Sequence, residues 1–598
     1  MKLQNLLFPE AGICSESLLY MRKDEMVDYL AHNKKLVFSK NATCSFDTYF
    51  NSLSIEKWKK YTTVGQIALV LKLRGEFEIT LASKEKIHDT IIEKIICVQH
   101  INTIDLTIEK IPFHTFEYKG MFYFKLKALS DNSEYYGGWY EGETAEEQLR
   151  NVDLAINICT FKRETFVLKN IEILQKDILQ NPENELSKHL HVFISDNGKS
   201  LDYSRLNSEQ VHVVPNKNTG GVGGFTRGLI EIMNYQKYQA THALMMDDDI
   251  VIETESLYRT YSLLRCVKEE YKDAFIGGAM LRLDKQRIQV ESGAVWNAGD
   301  LISLKSGLDL GQVDACLYNE IEEHVEYNAW WYCCTPMSVV NEKNLPLPIF
   351  IRGDDLEYGL RNMKHLILMN GICVWHEPFE NKYSSFLNYY ILRNLLYDNA
   401  LHYPDYSKWD FLKRLYKTTA RELVYYRYKN IDLLFRGVED FYKGVPFLEK
   451  TDAEQLHREI MAAGYKAVPV EQLNMQFSYP SYQKSLRQQE GRVKRLFRFA
   501  TLNGLLLPTN RNVIVSMSSC RPINFFRAKR AMQYDVASKK AFIVERDWKQ
   551  TIIMLKQLFK LTLKTVTVYD YRMRDFKKNV ERITNIKFWE RYLKEWES

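Results

Sequence analysis

The chain has no C-x-x-C pair, no internal repeat or low-complexity tract, no apolar run near the ~18 residues of a membrane span, and little net charge. Each absence excludes a class. Ten cysteines scattered from Cys14 to Cys520 suggest neither a zinc module nor a disulfide framework, and they fit a reducing compartment. The opening MKLQNLLFPEAG lacks the apolar core of a secretory signal, so a soluble, cytoplasmic chain is expected. Lys+Arg 81 against Asp+Glu 76 leave a formal charge of +5, too small for a dedicated nucleic-acid binder.

What is present describes a globular, multidomain protein. Hydrophobic residues make up 45% and charged residues 26% of 598. At about 100–200 residues per domain, some three or four domains are expected. Aromatic residues reach 13%, which suits either a large aromatic core or the stacking of flat rings.

Three parts follow one another. Residues 1–150 alternate apolar and polar positions, as in GEFEITLAS and MFYFKLKAL, and predict a β-sandwich domain. Tyr135, Tyr136, Trp139 and Tyr140, near its end, read either as strand-end packing or as a sugar-facing surface. Residues 151–400 alternate short apolar strands with helical segments, an α/β pattern with a parallel or mixed Rossmann-like sheet. Ligands of such sheets bind beyond the carboxyl ends of the strands. Residues 401–598 predict a mostly helical region that is locally basic.

Four motifs sit where that rule points. In MMDDDIVIE an apolar strand opens into Asp247, Asp248 and Asp249. Three adjacent carboxylates repel, and a divalent cation with a diphosphate would compensate them. On an extended strand end Asp247 and Asp249 face the same side, with Asp248 facing elsewhere. The run from Asn218 through Gly220, Gly221, Gly223 and Gly224 follows a strand and opens a helix. It fails the G-x-G-x-x-G test at Thr226, so its glycines are expected to let backbone approach a nucleotide or sugar. In FIRGDDLEYGLR, Asp354 and Asp355 beside Arg352 read either as helix caps or as a general base. His376 in VWHEPF reads either as structural or as a metal ligand.

Taken in order, CTFKR, ISDNG, NTGGVGGFTRG, MMDDD, YNAWWYCC, FIRGDDLEYGLR, VWHEPF and YYILRN resemble the inverting GT-A glycosyltransferases, most closely the bacterial polymerising galactofuranosyltransferases. The resemblance covers about 155–400 well, and that family's N-terminal β-sandwich and helical C-terminal region match the layout less specifically. It implies a UDP-sugar donor, an oligosaccharide or lipid-linked glycan acceptor, and Mn²⁺ or Mg²⁺. Thr160, Phe161, Arg163, Asp196, Asn218, Gly220, Gly221, Asp247 and Asp248 would then bind the nucleotide-sugar, and Asp247, Asp249 and His376 the metal. Asp355 would be the general base, with Trp330, Trp331, Arg352 and Asp354 on the acceptor side. Arg393 and Asn394 would face the diphosphate. Gly353 departs from the family, whose closest relatives carry a bulky aromatic there, and vicinal Cys333-Cys334 reads as packing. The donor alternatives are UDP-galactopyranose or another UDP-hexose; an alternative of another class is a non-catalytic carbohydrate-binding protein. A sugar-phosphate nucleotidylyltransferase is disfavoured because residues 1–30 hold no glycine-rich basic loop.

Between Lys484 and Lys540 thirteen basic residues face only Glu490 and Asp535, with Phe497, Phe499, Phe525 and Phe526 interleaved. That tract predicts peripheral contact with an anionic membrane surface, the alternative being the solvated faces of packed helices. A homo-oligomer is expected from the resemblance.

Overall fold

A computed structural model describes residues 1–113, 118–378, 383–509 and 511–594. Phe379, which closes the VWHEPF motif, and the last four residues lie outside the described residues. Two compact units result: Met1–Leu345 with Tyr358–Glu377, and Pro346–Glu357 with Pro378–Trp596.

The first unit opens with an antiparallel sheet containing β1 (Ile67–Ile87), β2 (Thr90–Phe113), β3 (Met121–Ala128) and β4 (Ser133–Gly142). The expected period of two holds in β1, where Leu69, Leu71, Leu73, Phe77, Ile79 and Leu81 are buried. Instead of two separate sheets, all ten strands belong to one. The reason is the length of β1, which pairs with β4 over Ile67–Arg74 and with β3 over Phe77–Lys84, while β2 runs along its other edge. Tyr135 and Tyr140 on β4 are fully buried, and Tyr135 packs against Phe8, Phe46 and Phe124, so these two are packing residues, while Tyr136 and Trp139 are half-buried.

A nine-stranded mixed sheet follows. Its main strands are β5 (Leu154–Thr160), β6 (Leu190–Asp196), β7 (Val211–Pro215), β8 (His242–Asp247), β9 (Phe275–Arg282), β10 (Tyr332–Pro336) and β11 (Leu366–His376). The order is β7-β6-β5-β8-β10-β9-β11, closed by Val251–Ile252. Strands β5, β6, β7 and β8 are mutually parallel, and β10 runs against β8 and β9. From β5 the chain steps to β6 on one side and later to β8 on the other, which makes the carboxyl ends of β5 and β8 the switch point of the sheet. Cys333 and Cys334 lie buried within β10, as packing residues.

Helix α1 (Gly220–Asn234) covers β5 and β6, and α2 (Glu255–Arg265) is buried along most of its length. Arg259 of α2 donates to Phe50 O (2.7 Å), and Glu255 accepts from Asn5 N and Nδ2 (2.6 and 2.7 Å). Tyr20, Tyr49 and Phe50 share one core cluster with Leu281 and Trp375, so the N-terminal strands and the mixed sheet pack together.

In the second unit α3 (Asp354–Asn362, its first turn only) is followed by α4 (Leu387–His402), α5 (Tyr428–Phe441), α6 (Arg492–Ala500) and α7 (Trp548–Asn579). Helices α4, α5 and α7 pack on one another. The helical expectation for the C-terminal region omits a four-stranded sheet: Val468–Pro469, then β14 (Lys540–Glu545), β13 (Ala528–Asp535) and β12 (Arg511–Ser516). Its strands are short, and the basic residues between them hide the alternation. Among the described residues no helix is long and apolar enough to cross a membrane.

Candidate functional site

Strand β8 delivers Asp247 at its last position, opposite Cys159 of β5. Beyond it the acidic turn is built into the protein. Thr160 Oγ1 donates to Asp248 Oδ2 (2.7 Å), and Asn170 Nδ2 donates to Asp248 O (3.0 Å). Arg163 Nη1 reaches Asp248 Oδ1 (3.0 Å) and Asp249 Oδ2 (2.6 Å). Burial pushes the Asp248 carboxyl up, and the Arg163 and Thr160 contacts oppose that by favouring the ionised form. Asp248 is thus anchored through both its carboxylate and its carbonyl.

His376, the last residue of β11, places Nε2 3.1 Å from Asp249 Oδ1. Asp247, Asp249 and His376 each offer a ligand atom, all within 4.8 Å of one another. Two carboxylates and an imidazole fit a divalent cation of the Mn²⁺ or Mg²⁺ kind by donor type. CTFKR, MMDDD and VWHEPF, far apart in sequence, therefore converge at the carboxyl ends of β5, β8 and β11. A cavity of about 310 Å³ adjoins this turn through Asn170, Ile250 and Val251, with Phe166, Lys169 and Gln286 also on its wall.

Phe161, immediately after β5, is an exposed aromatic ring (45%) at the same strand end. Asp196 is also at a strand end, but its carboxylate is consumed locally. It accepts from Gly198 N, Ser200 N, Leu201 N and the Tyr203 hydroxyl (2.6–3.0 Å), and so folds the loop after β6. Asn218 Oδ1 accepts from Gly220 N (3.2 Å), and Gly220 (φ +85°) starts α1. A Cβ on Gly224 would collide with Cys159 Sγ and one on Gly228 with Asn157 Oδ1, both on β5, while one on Gly223 would strike Thr219. Gly224 and Gly228 let α1 press against β5, so Gly224 of the run serves helix packing, while Gly220 and Gly221 stand at the start of α1.

Trp330 and Trp331 are buried, 4% and 6% exposed. Trp330 meets Phe225 and Tyr358 edge-on, and Trp331 Nε1 donates to Gly278 O (2.9 Å). The Trp330 ring thus packs on protein, and the Trp331 indole is held by its N–H.

The second unit holds the other acidic motif. Glu357 N donates to Gly353 O (2.8 Å), so Gly353 occupies the cap position and Asp354 and Asp355 lie inside the first turn of α3. The cap reading of the two aspartates is thereby replaced. Asp355 Oδ1 accepts from Leu356 N, and Glu357 Oε1 meets His402 Nε2 (3.1 Å). The exposed Arg352 precedes them with φ +67°. Asn394 Nδ2 donates to Ile351 O (2.8 Å) and Arg352 O (2.6 Å), and Arg393 Nη2 to Ile349 O (2.5 Å). Arg393 is buried among Tyr389, Tyr390 and Tyr397. Arg393 and Asn394 hold this loop through its backbone carbonyls. Sequence reasoning missed Asp398, which is fully buried with Glu357, Asp355 and Asp354 around it. Only its spacing on α4, one turn beyond Asn394, could have signalled it.

An Asp-x-Asp turn and a histidine thus meet at the carboxyl edge of a doubly wound sheet. Residues 3–142 match the family model described as Galactofuranosyltransferase 2 N-terminal. More particularly, the chain is 25% identical over 428 residues to galactofuranosyltransferase GlfT2 of Mycolicibacterium smegmatis, covering 67% of this chain and 64% of that protein. It is 26% identical over 431 residues to galactofuranosyltransferase GlfT2 of Mycobacterium tuberculosis, covering 67% and 65%. The matches thus span just under two thirds of these relatives' own length. The resemblance read from the motifs is borne out: this chain is similar to GlfT2 glycosyltransferases.

Proposed function

We propose that this protein transfers galactofuranose from UDP-galactofuranose to a glycan acceptor with inversion, in the synthesis of a cell-surface polysaccharide. One observation carries the reading: Asp247, Asp249 and His376 meet within 4.8 Å at the carboxyl edge of the sheet. The similarity to GlfT2 supports the choice of sugar.

In this reading Asp247, Asp249 and His376 would hold Mn²⁺ or Mg²⁺, which would supply positive charge to the diphosphate of the donor. Phe161 lies against the uracil, and Thr160 and Arg163 keep Asp248 and Asp249 in place. The acceptor hydroxyl oxygen attacks the anomeric carbon, and the bond from that carbon to the diphosphate oxygen breaks. Asp355 takes the hydroxyl proton, and UDP leaves with the bonding pair. Arg352 and Asp354 bind the acceptor. The supporting features for Asp355 are its place in the first turn of α3 and the loop beneath it, fixed by Arg393 and Asn394.

The proposal assigns residues 1–150, 151–400 and 401–598 to sheet, catalytic and C-terminal domains of a cytoplasmic homo-oligomer in peripheral contact with an anionic membrane. Within the basic tract, Arg498 is paired with Glu490, and Arg521 and Arg527 donate to backbone carbonyls. Phe525 is buried, whereas Phe497 and Phe499 are exposed. Membrane contact therefore rests on the α6 part of the tract.

Calorimetric titration of UDP tests the donor site, with Mn²⁺ and then with EDTA, beside Asp249→Ala. Metal-dependent binding that the variant loses is the expected result. No UDP binding in either condition removes the transferase reading.

A further inference from the structure

Strand β2 is an edge strand: among the described residues it pairs with β1, and its other edge is uncovered. At 24 residues that edge is long, and such edges are normally blunted by a mid-strand lysine, a short length or a covering element. On β2 the paired charges stand near the two ends, as Glu93-Lys94 and Glu109-Lys110. Between them come Ile95, Val98, Ile104, Leu106 and Ile108, all exposed, with Asp105 among them.

Two departures from regular pairing decide what this edge can do. An extra residue of β2 stands opposite the Leu81–Ala82 step of β1, and Ile104–Leu106 bow out opposite Arg74. The first departure flips the alternation. Glu93 and Ile95 therefore oppose Lys84 and Ala82, while Ile108 and Lys110 oppose Lys72 and Val70. All four lie on the sheet face turned away from buried Leu69, Leu71, Phe77 and Leu81. Lys94 and Glu109, opposite Ser83 and Leu71, share the other face. Pro112 has no N–H, so its pairing with Ala68 is of the non-hydrogen-bonded kind. Lys110 and Ile108, in the same alternation, thus turn N–H and C=O to the free edge.

We infer that the β2 edge is a two-fold interface with a second copy of this chain, residues 90–95 of each copy pairing antiparallel with 108–113 of the other. The dyad passes between Ile101 and Asn102, and residues 96–107, which hold both departures, stay outside the ladders. In that register Glu93 meets Lys110 of the second copy, Lys94 meets Glu109, and Ile95 meets Ile108. Each such pair has both members on one face, as cross-strand pairing requires. Two-fold symmetry repeats every contact. A slip of two residues either way sets each of the four charges opposite an uncharged residue, so charge selects the register. Tyr123 and Lys125 already donate to Glu93, and Lys110 pairs with Glu141, so the new ion pairs join networks of alternating sign. Self-complementarity selects the occupant, because one strand supplies both halves of every pair. The inference deepens the homo-oligomer of the proposed function and rests on that reading for the existence of an assembly, but not on the donor site.

The experiment is sedimentation velocity of the full chain across a concentration series, beside two charge variants. Glu93→Lys/Glu109→Lys and Lys94→Glu/Lys110→Glu each set like charges opposite one another, and each is expected to self-associate about tenfold more weakly or worse. An equimolar mixture of the two restores opposite signs at every pair and should associate as the parent does. Ile108→Pro removes an outward N–H without touching the ladder to β1; it should weaken association and keep the parent's melting temperature. UDP binding by calorimetry should match the parent's in every variant, which separates a failure of this interface from a failure of the donor site. A parent that stays monomeric overturns the inference, as do charge variants that associate like the parent. A mixture no more associated than its components equally overturns it. Should either charge variant misfold, Ile108→Pro decides, and parent-like association by that variant rejects the inference.

Discussion

Asp398 fills the space that a side chain at position 353 would need. A Cβ on Gly353 would lie 2.6 Å from Asp398 Oδ2, and Gly353 itself has φ +85°. A bulky side chain at that position could not share this arrangement. The loop before α3 is therefore set by a glycine and a buried acid. Burial, then Glu357, Asp355 and Asp354, hold the Asp398 carboxyl well above the usual carboxylate range.

Gly353→Ala is expected to cost about 1–3 kcal/mol for the left-handed backbone, and more for the contact with Asp398. Chemical denaturation of Gly353→Ala and of Gly353→Ala/Asp398→Ala separates the two parts. The double variant should recover the contact part alone; full recovery would mean that the backbone conformation carries no strain.

Asp355→Ala should keep metal-dependent UDP binding and lose transfer by about 10²–10⁴-fold, the usual range for a positioned base. A radiolabelled-donor assay beside UDP calorimetry checks both halves. Transfer near the parent's rate would take Asp355 out of that role.

Removing Arg163 leaves Asp248 and Asp249 without their guanidinium. Since Arg163 is partly exposed, Arg163→Gln is expected to destabilise by about 1–3 kcal/mol, less than a fully buried pair would. Mn²⁺ should restore more melting temperature to the variant than it adds to the parent. Equal shifts in the two proteins would show that the cation does not substitute for the lost charge.

Glu253 is buried beside Glu255, and burial raises its carboxyl from 4.5 to about 7. Its folded form binds a proton more tightly than its unfolded form. Below pH about 4.5 both forms are protonated and no cost arises; stability from this group falls as pH rises through 7. Glu253→Gln should therefore melt higher than the parent at pH 8, by up to ~3 kcal/mol, and match it near pH 4. Melting curves across that range decide it, and a pH-independent difference would assign the effect to packing.

Much of the donor side was legible because its residues end apolar strands. A run such as HALMMD can be read as a buried strand, and whatever follows it lies on the carboxyl edge. Asp247, Asp249 and His376 came together for that reason. The rest depends on what packs against what. Nothing in NTGGVGGFTRG says that its glycines meet β5, and nothing in WWYCC says that both indoles are covered. Asp196 and Arg393 were legible as residues but not as roles, since the loop each one braces is formed by distant or irregular backbone. The C-terminal strands were hidden because charged residues interrupt them on short lengths.

Among the described residues, the 24-residue β2 pairs only with β1, with a break in register at Ile104–Leu106, and Ile95, Ile104 and Ile108 on it are exposed. A free edge of that length is a template for whichever strand reaches it first. During refolding the edge is exposed as soon as the β1–β2 hairpin closes, before later segments arrive. Recovery of this protein is then a race between intramolecular closure, which is independent of dilution, and edge-to-edge capture, which is second order in chain. Yield should consequently depend on the concentration at which the chain is allowed to fold.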